Sequence, residues 1–139
     1  MKKIIIIMCG ILLVGTTGCG SSSKEELKCT LTEDNATETV ILTFEKDTLK
    51  KMTYESKETY DTEEDLDDDY GFAQFTVGLS NAMDGVEAKI DKKDLTLSTT
   101  ITYDFNKMSE DIKKDMLEEM PETKEGIISS FEDDGYTCK

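Results

Sequence analysis

The side chains of this chain with chemistry to offer are thiols and carboxylates. Cysteines stand at positions 9, 19, 29 and 138, and Asp and Glu together number 31. There is no histidine, and all 16 basic residues are lysine. Without histidine, Ser-His-Asp and Cys-His arrangements and histidine-ligated metal centres are excluded. A carboxylate pair could still do acid–base work, but among 31 acids no pair stands out by its context. G-x-S-x-G, P-loop and dinucleotide fingerprints are all missing. No catalytic residue and no cofactor is therefore expected, and a carboxylate-based hydrolase is the one enzymatic alternative.

The densest acidic run is Asp65-Leu66-Asp67-Asp68-Asp69-Tyr70-Gly71. Its alternating carboxylates imitate the start of a calcium loop, which needs glycine at position 6 and glutamate at position 12. Counted from Asp65, those positions hold Tyr70 and Thr76. The run reads instead as the solvated start of a helix, and Glu132-Asp133-Asp134 as a helix end. Cys29 and Cys138 without histidine are an incomplete zinc set. No metal ligand is assigned.

The thiols take their roles from the beginning of the chain. Lys2 and Lys3 precede an apolar run from Ile4 to Val14, followed by small residues up to Cys19. A basic segment, an apolar segment and a small-residue cleavage site are the parts of a secretory signal. The run is too short for a spanning helix, which needs ~20 apolar residues. Thr16-Thr17-Gly18-Cys19 resembles the lipobox of bacterial lipoproteins, with Thr16 where leucine is usual. That resemblance implies a diacylglyceryl group on the Cys19 sulfur, with palmitate-type chains, and cleavage after Gly18. An ordinary secretory signal cleaved nearby is the alternative. One acyl chain holds a protein at a membrane marginally, whereas two or more hold it stably.

With Cys9 in the signal and Cys19 carrying lipid, Cys29 and Cys138 remain as an even pair in an oxidising compartment, so a disulfide is expected. Two free buried thiols are the alternative. The bridge would close nearly the whole domain and stabilise it by roughly 4 to 5 kcal/mol in the chain-entropy account.

The expected division is residues 1–18 as signal, 19–26 as lipidated tether and 27–139 as one domain. Removing 18 of 139 residues leaves 121, enough for a single core. Losing Lys2 and Lys3 while keeping every acid takes the net charge from −15 to −17. Nucleic acid, which needs a basic surface, is excluded as a partner. Anionic lipid would repel such a domain, so the lipid on Cys19 must do the anchoring. The charge otherwise serves solubility or attracts cations or a basic partner.

The elements follow from periodicity. Lys28–Thr32 alternates, with Cys29 and Leu31 on one face. Val40, Leu42 and Phe44 share a face of the next strand, and Lys46-Asp47-Thr48 turns it back. In the third strand, Leu49 to Tyr60, Leu49 is out of phase with Met52, which predicts a bulge near Lys50 and Lys51. Thr62 and Asp65 form a capping signal for a helix carrying Leu66, Tyr70, Phe72, Ala73, Phe75, Val77, Leu79 and Met83 at spacings of three and four. Gly71 and Gly78 lie on one face of it. They are expected to let that face pack closely on a sheet, the alternative being a small-residue surface for a ligand or partner. A hairpin follows, with a threonine-rich strand Leu95–Phe105 suited to a sheet with one solvated side. Ser109 caps a helix broken by Pro121, and a last helix, Thr123–Asp133, stops at Gly135. The order β-β-β-α-β-β-α-α makes an α+β fold: an antiparallel sheet of about five strands packed against helices, closed by the terminal disulfide.

This pattern resembles the YehR-like group of small bacterial lipoproteins. The carrying features are Thr17-Gly18-Cys19, the early Cys29, the polar strand Lys50–Tyr60, the threonine-rich Leu95–Tyr103, and the ending Gly135-Tyr136-Thr137-Cys138-Lys139. The resemblance implies an α+β envelope lipoprotein and supplies no activity. The leading expectation is a non-catalytic binding or interaction module, a monomeric domain held by the lipid on Cys19 at the extracytoplasmic side of the cell membrane. Its partner would be an unidentified envelope protein or a small ligand. The alternatives are a small-ligand carrier, with Tyr54, Tyr70 and Tyr103 walling a pocket between sheet and helices, and a cation-binding surface protein.

Overall fold

The computed structural model describes residues 23–139; the expected signal and the expected lipid site at Cys19 lie outside them. The elements are β1 (Lys24–Thr32), β2 (Ala36–Glu45), β3 (Thr48–Thr59), α1 (Glu63–Ser80), β4 (Val86–Lys93), β5 (Thr96–Asp104), α2 (Glu110–Glu118), α3 (Lys124–Asp133) and β6 (Thr137–Cys138). The strands form one six-stranded antiparallel sheet in the order β4-β5-β3-β2-β1-β6. This is the expected α+β fold with one strand more, the short β6.

Period-2 alternation decides which face is buried. Val40, Leu42 and Phe44 of β2 enter the core with Met52 and Tyr54 of β3 and Ile101 and Tyr103 of β5. Ile112, Met116 and Leu117 of α2 and Ile127 and Phe131 of α3 close over them. α1 lies against β4 and β5, whose buried Val86, Ala88 and Leu97 belong to that same face. The other face is open and carries threonines on three neighbouring strands. There the Thr53 and Thr102 hydroxyls meet at 3.2 Å.

Local chemistry accounts for the joints. Lys46 and Asp47 both have positive φ, 50° and 64°, the two-residue hairpin turn whose twist matches the strands. Thr43 pairs with Lys51 but Phe44 with Leu49, so Lys50 is the extra residue of a bulge. The bulge brings Leu49 and Met52 to one face despite their odd separation. Gly85 has φ 80°, and a Cβ there would lie 2.7 Å from the Asp104 carbonyl oxygen, so only glycine fits.

Cys29 and Cys138 are bonded, with Cα atoms 4.0 Å apart. The ladder runs one residue further: Lys28 N–H donates to the Lys139 carbonyl at 3.0 Å and Lys139 N–H to that of Lys28 at 2.9 Å. β1 is longer than its alternation predicts. It begins at Lys24, inside the stretch expected to be tether, because Lys24, Glu25 and Glu26 continue the ladder with Glu45, Phe44 and Thr43.

Two expectations about helices need correction. α1 ends at Ser80, not Met83, because Asn81 is used elsewhere: its side chain accepts from Ala88 N–H at 2.7 Å and donates to the Ala88 carbonyl at 2.9 Å. Those groups point outward from edge strand β4, so Asn81 covers part of an open edge. The second correction concerns Gly71 and Gly78. A Cβ at either would meet nothing within 4 Å, so their face is open and packs on no sheet. Ser109 stands at the start of α2 as expected but makes no side-chain capping hydrogen bond, whereas Thr62 and Thr123 do.

Candidate functional site

α1 is apolar on two sides. Thr62 starts it: its hydroxyl oxygen accepts from Asp65 N–H at 3.2 Å and its O–H donates to the Asp65 carboxylate at 2.6 Å. Glu63, Glu64 and Asp65 then face the positive helix end. Leu66 is buried, and Tyr70, Ala73 and Val77 continue that face half-buried at spacings of four and three. A helix that buries one stripe ordinarily shows polar residues on the other. Here the other side shows Phe72, Phe75 and Leu79, which are 74%, 65% and 58% exposed, with Met83 exposed just beyond the helix. Gly71 and Gly78 stand beside that stripe and also face outward. From Tyr70 to Met83 no residue is charged, in a chain in which 34% of residues are.

This stripe escapes a reading of the sequence for a simple reason. Apolar residues at three and four apart satisfy one helical face, and two such faces interleave on α1 without disturbing the pattern. The absence of charge over so many positions is the signal that separates them.

The tyrosines expected to wall a pocket divide. Tyr54 and Tyr103 lie on the core face of adjacent strands, in the pairs Tyr54–Ile101 and Met52–Tyr103. Tyr70 sits apart on α1, its ring 5.0 Å from the Lys92 ammonium, which also bonds Asp67 at 2.5 Å. Burial pushes the Tyr54 and Tyr103 phenols above their ordinary value. Three depressions of the described surface lie elsewhere. One of about 440 Å³ runs beside the disulfide edge between Lys28 and Lys139. One of about 340 Å³ is on the open sheet face around Thr39 and Thr100. One of about 250 Å³ is at the sheet end around Met83 and Gly85.

Sequence reasoning missed two tyrosine–carboxylate pairs near these residues. Tyr136 donates its O–H to Glu38 at 2.5 Å, and Tyr60 donates to Glu58 at 3.1 Å. Burial first, and then neighbouring carboxylates, push both phenols well above the usual tyrosine range. They are donors at any ordinary pH: Tyr136, edge-on to Phe131 of α3, ties that helix to β2 through Glu38, and Tyr60 closes on Glu58 at the end of β3. The available signal was phase: Glu38 and Glu58 occupy core-facing positions of β2 and β3.

The acids read as a helix start are one. Asp65, Asp67, Asp68 and Asp69 lie in the first turns of α1. Among the described residues, no group of three or more Cys, Asp or Glu side chains converges as metal ligands, and no helix is long and apolar enough to cross a membrane.

No family model matches the chain and no curated protein matches it in sequence. The fold has solved counterparts. The NMR structure of the Escherichia coli YehR protein matches with a TM-score of 0.53 at 17% identity, over 69% of this chain and 70% of that one. The NMR structure of a protein from Streptococcus pneumoniae TIGR4 matches with a TM-score of 0.54 at 12% identity, over 100% of this chain and 98% of that one. At these identities the likeness is one of fold: the chain shares the architecture of these two bacterial proteins.

Proposed function

We propose that this chain is a YehR-like lipoprotein of the bacterial envelope, anchored through Cys19 on the extracytoplasmic side, and that it works as a non-catalytic contact module. The observation that carries the reading is the α1 stripe, because large exposed apolar patches on a small acidic domain mark contact surfaces. The N-terminal signal supports the location, and the disulfide suits an oxidising compartment. The ligand-carrier alternative needs a cavity walled by Tyr54, Tyr70 and Tyr103. Tyr70 lies away from the other two, which weakens it.

The test is expression of the full chain in a bacterium that exports lipoproteins. Fractionation should place it in membranes, with a mass showing Cys19 as an acylated first residue. Cys19→Ala should remain uncleaved or lose the acyl mass. An unmodified thiol at Cys19 in the exported wild type would reject the anchored reading. Hydrolysis of a broad substrate panel, abolished by single carboxylate variants, would reject the non-catalytic one.

A further inference from the structure

We infer that the outer face of α1 is a second membrane contact, with Phe72, Phe75, Leu79 and Met83 seated in the interface of the bilayer that holds the lipid. The geometry rests on the anchored reading above.

Position is the first support. β1 begins at Lys24, at the end of the sheet where Asp104 N–H bonds the Gly85 carbonyl at 2.7 Å, and Lys24 and Asp104 line one shallow depression there. Met83 belongs to the same end, its carbonyl accepting from Val86 N–H at 3.2 Å. The five residues from Cys19 to Lys24 can span at most about 17 Å. A lipid on Cys19 therefore keeps this end of the domain, and the C-terminal half of α1 with it, close to the bilayer.

Charge is the second support. The acids of α1 occupy its first two turns, and its uncharged part begins at Tyr70 and runs toward the tethered end. A helix laid with its latter half in the interface keeps Glu63 to Asp69 in water. Interfacial helices bury an apolar face about 5–10 Å deep in this manner.

Area argues against a second copy of the chain. The four side chains offer roughly 400 Å² of exposed surface, about half of the ~800 Å² per partner that a stable protein pair buries. Two copies would also bring together domains of strongly negative charge. A bilayer sets no such minimum, and an electrically neutral one has no like charge to oppose the domain.

The chain has no tryptophan, so Phe75→Trp introduces a single reporter at an exposed position. The full lipidated chain carrying it is reconstituted into phosphatidylcholine vesicles with acyl-brominated lipid. The emission should shift to the blue and lose about half its intensity, as expected for a ring at interfacial depth. Glu55→Trp, on the open face of the sheet, should stay solvent-like and unquenched. Solvent-like emission from Phe75→Trp would overturn the inference. So would a blue shift that grows with protein concentration and ignores brominated lipid, the signature of a second copy or a protein partner. If Cys19 proves unmodified, the anchored reading fails separately. Excess vesicles added to that unlipidated chain then decide the contact: quenching supports it, and its absence rejects it.

Discussion

α1 and α3 lie in the same helical layer and are of ordinary length, yet their apolar residues have different fates. In α3, Ile127 is buried, and Phe131 stands edge-on to Tyr136 with ring centres 5.4 Å apart. Tyr136 reaches across to Glu38, and the chain then closes through the disulfide. Ile127 and Phe131 thus both have folding partners. In α1 the inner face packs by the same rules, but Phe72, Phe75 and Leu79 stand largely in solvent. Folding alone thus accounts for the sequence of α3 and leaves half of α1 over, and what folding leaves over in a small domain is where function is to be sought.

That contrast can be broken first at the α3 end. Replacing Cys29 and Cys138 with serine should lower the unfolding free energy by roughly 4 to 5 kcal/mol, read as a lower denaturation midpoint for the double variant than for the oxidised wild type. Next is the joint between α1 and β4. Asn81→Ala leaves the Ala88 N–H and C=O without their side-chain partner and should cost about 1–3 kcal/mol. Fast amide exchange at Ala88 would accompany that loss.

A third effect depends on pH. Tyr60 and Tyr136 titrate higher in the fold than their ordinary value of 10.0. The stability tied to their protonated forms is whole below pH ~10 and is lost as pH rises beyond it, because the unfolded chain ionises first. Denaturation midpoints should therefore hold up to about pH 10 and fall progressively above it. Tyr136→Phe should flatten that fall. The smallest effect sharpens the contrast from the other side. Gly78→Ala should stabilise the domain by about 0.5–1 kcal/mol, since helix propensity improves and the added methyl meets open space. Destabilisation would mean that the face is packed after all.

Much of the fold is legible in the sequence because its causes are local. Alternation at Val40, Leu42 and Phe44 places β2, the phase break between Leu49 and Met52 places the bulge, and Cys29 and Cys138, the pair remaining once a signal and a lipid site are set aside as expected, are bonded to each other. The remainder depends on partners distant in the chain. Lys24 to Glu26 are polar and become strand because β2 offers them a ladder. Tyr136 and Glu38 are 98 positions apart, and nothing local announces their bond. α1 shows the sharpest limit. Helical periodicity says that apolar residues share faces and not how many of those faces are covered, so Gly71 and Gly78 read as a packing surface when they flank an open one.

On the proposed reading the outer face of α1 serves contact and not folding. Both are measured on one triple variant, Phe72→Ser with Phe75→Ser and Leu79→Ser, in a chain of residues 20–139, which lacks the apolar run Ile4–Val14 and the proposed lipid site. Its stability to unfolding, followed by circular dichroism, should match that of the same chain without the serines within about 0.5 kcal/mol, as for surface substitutions, while flotation with phosphatidylcholine vesicles, present without the serines, should be lost. A fall in stability of about 2 kcal/mol or more, the range of core truncations, or flotation unchanged by the three serines, would contradict the claim.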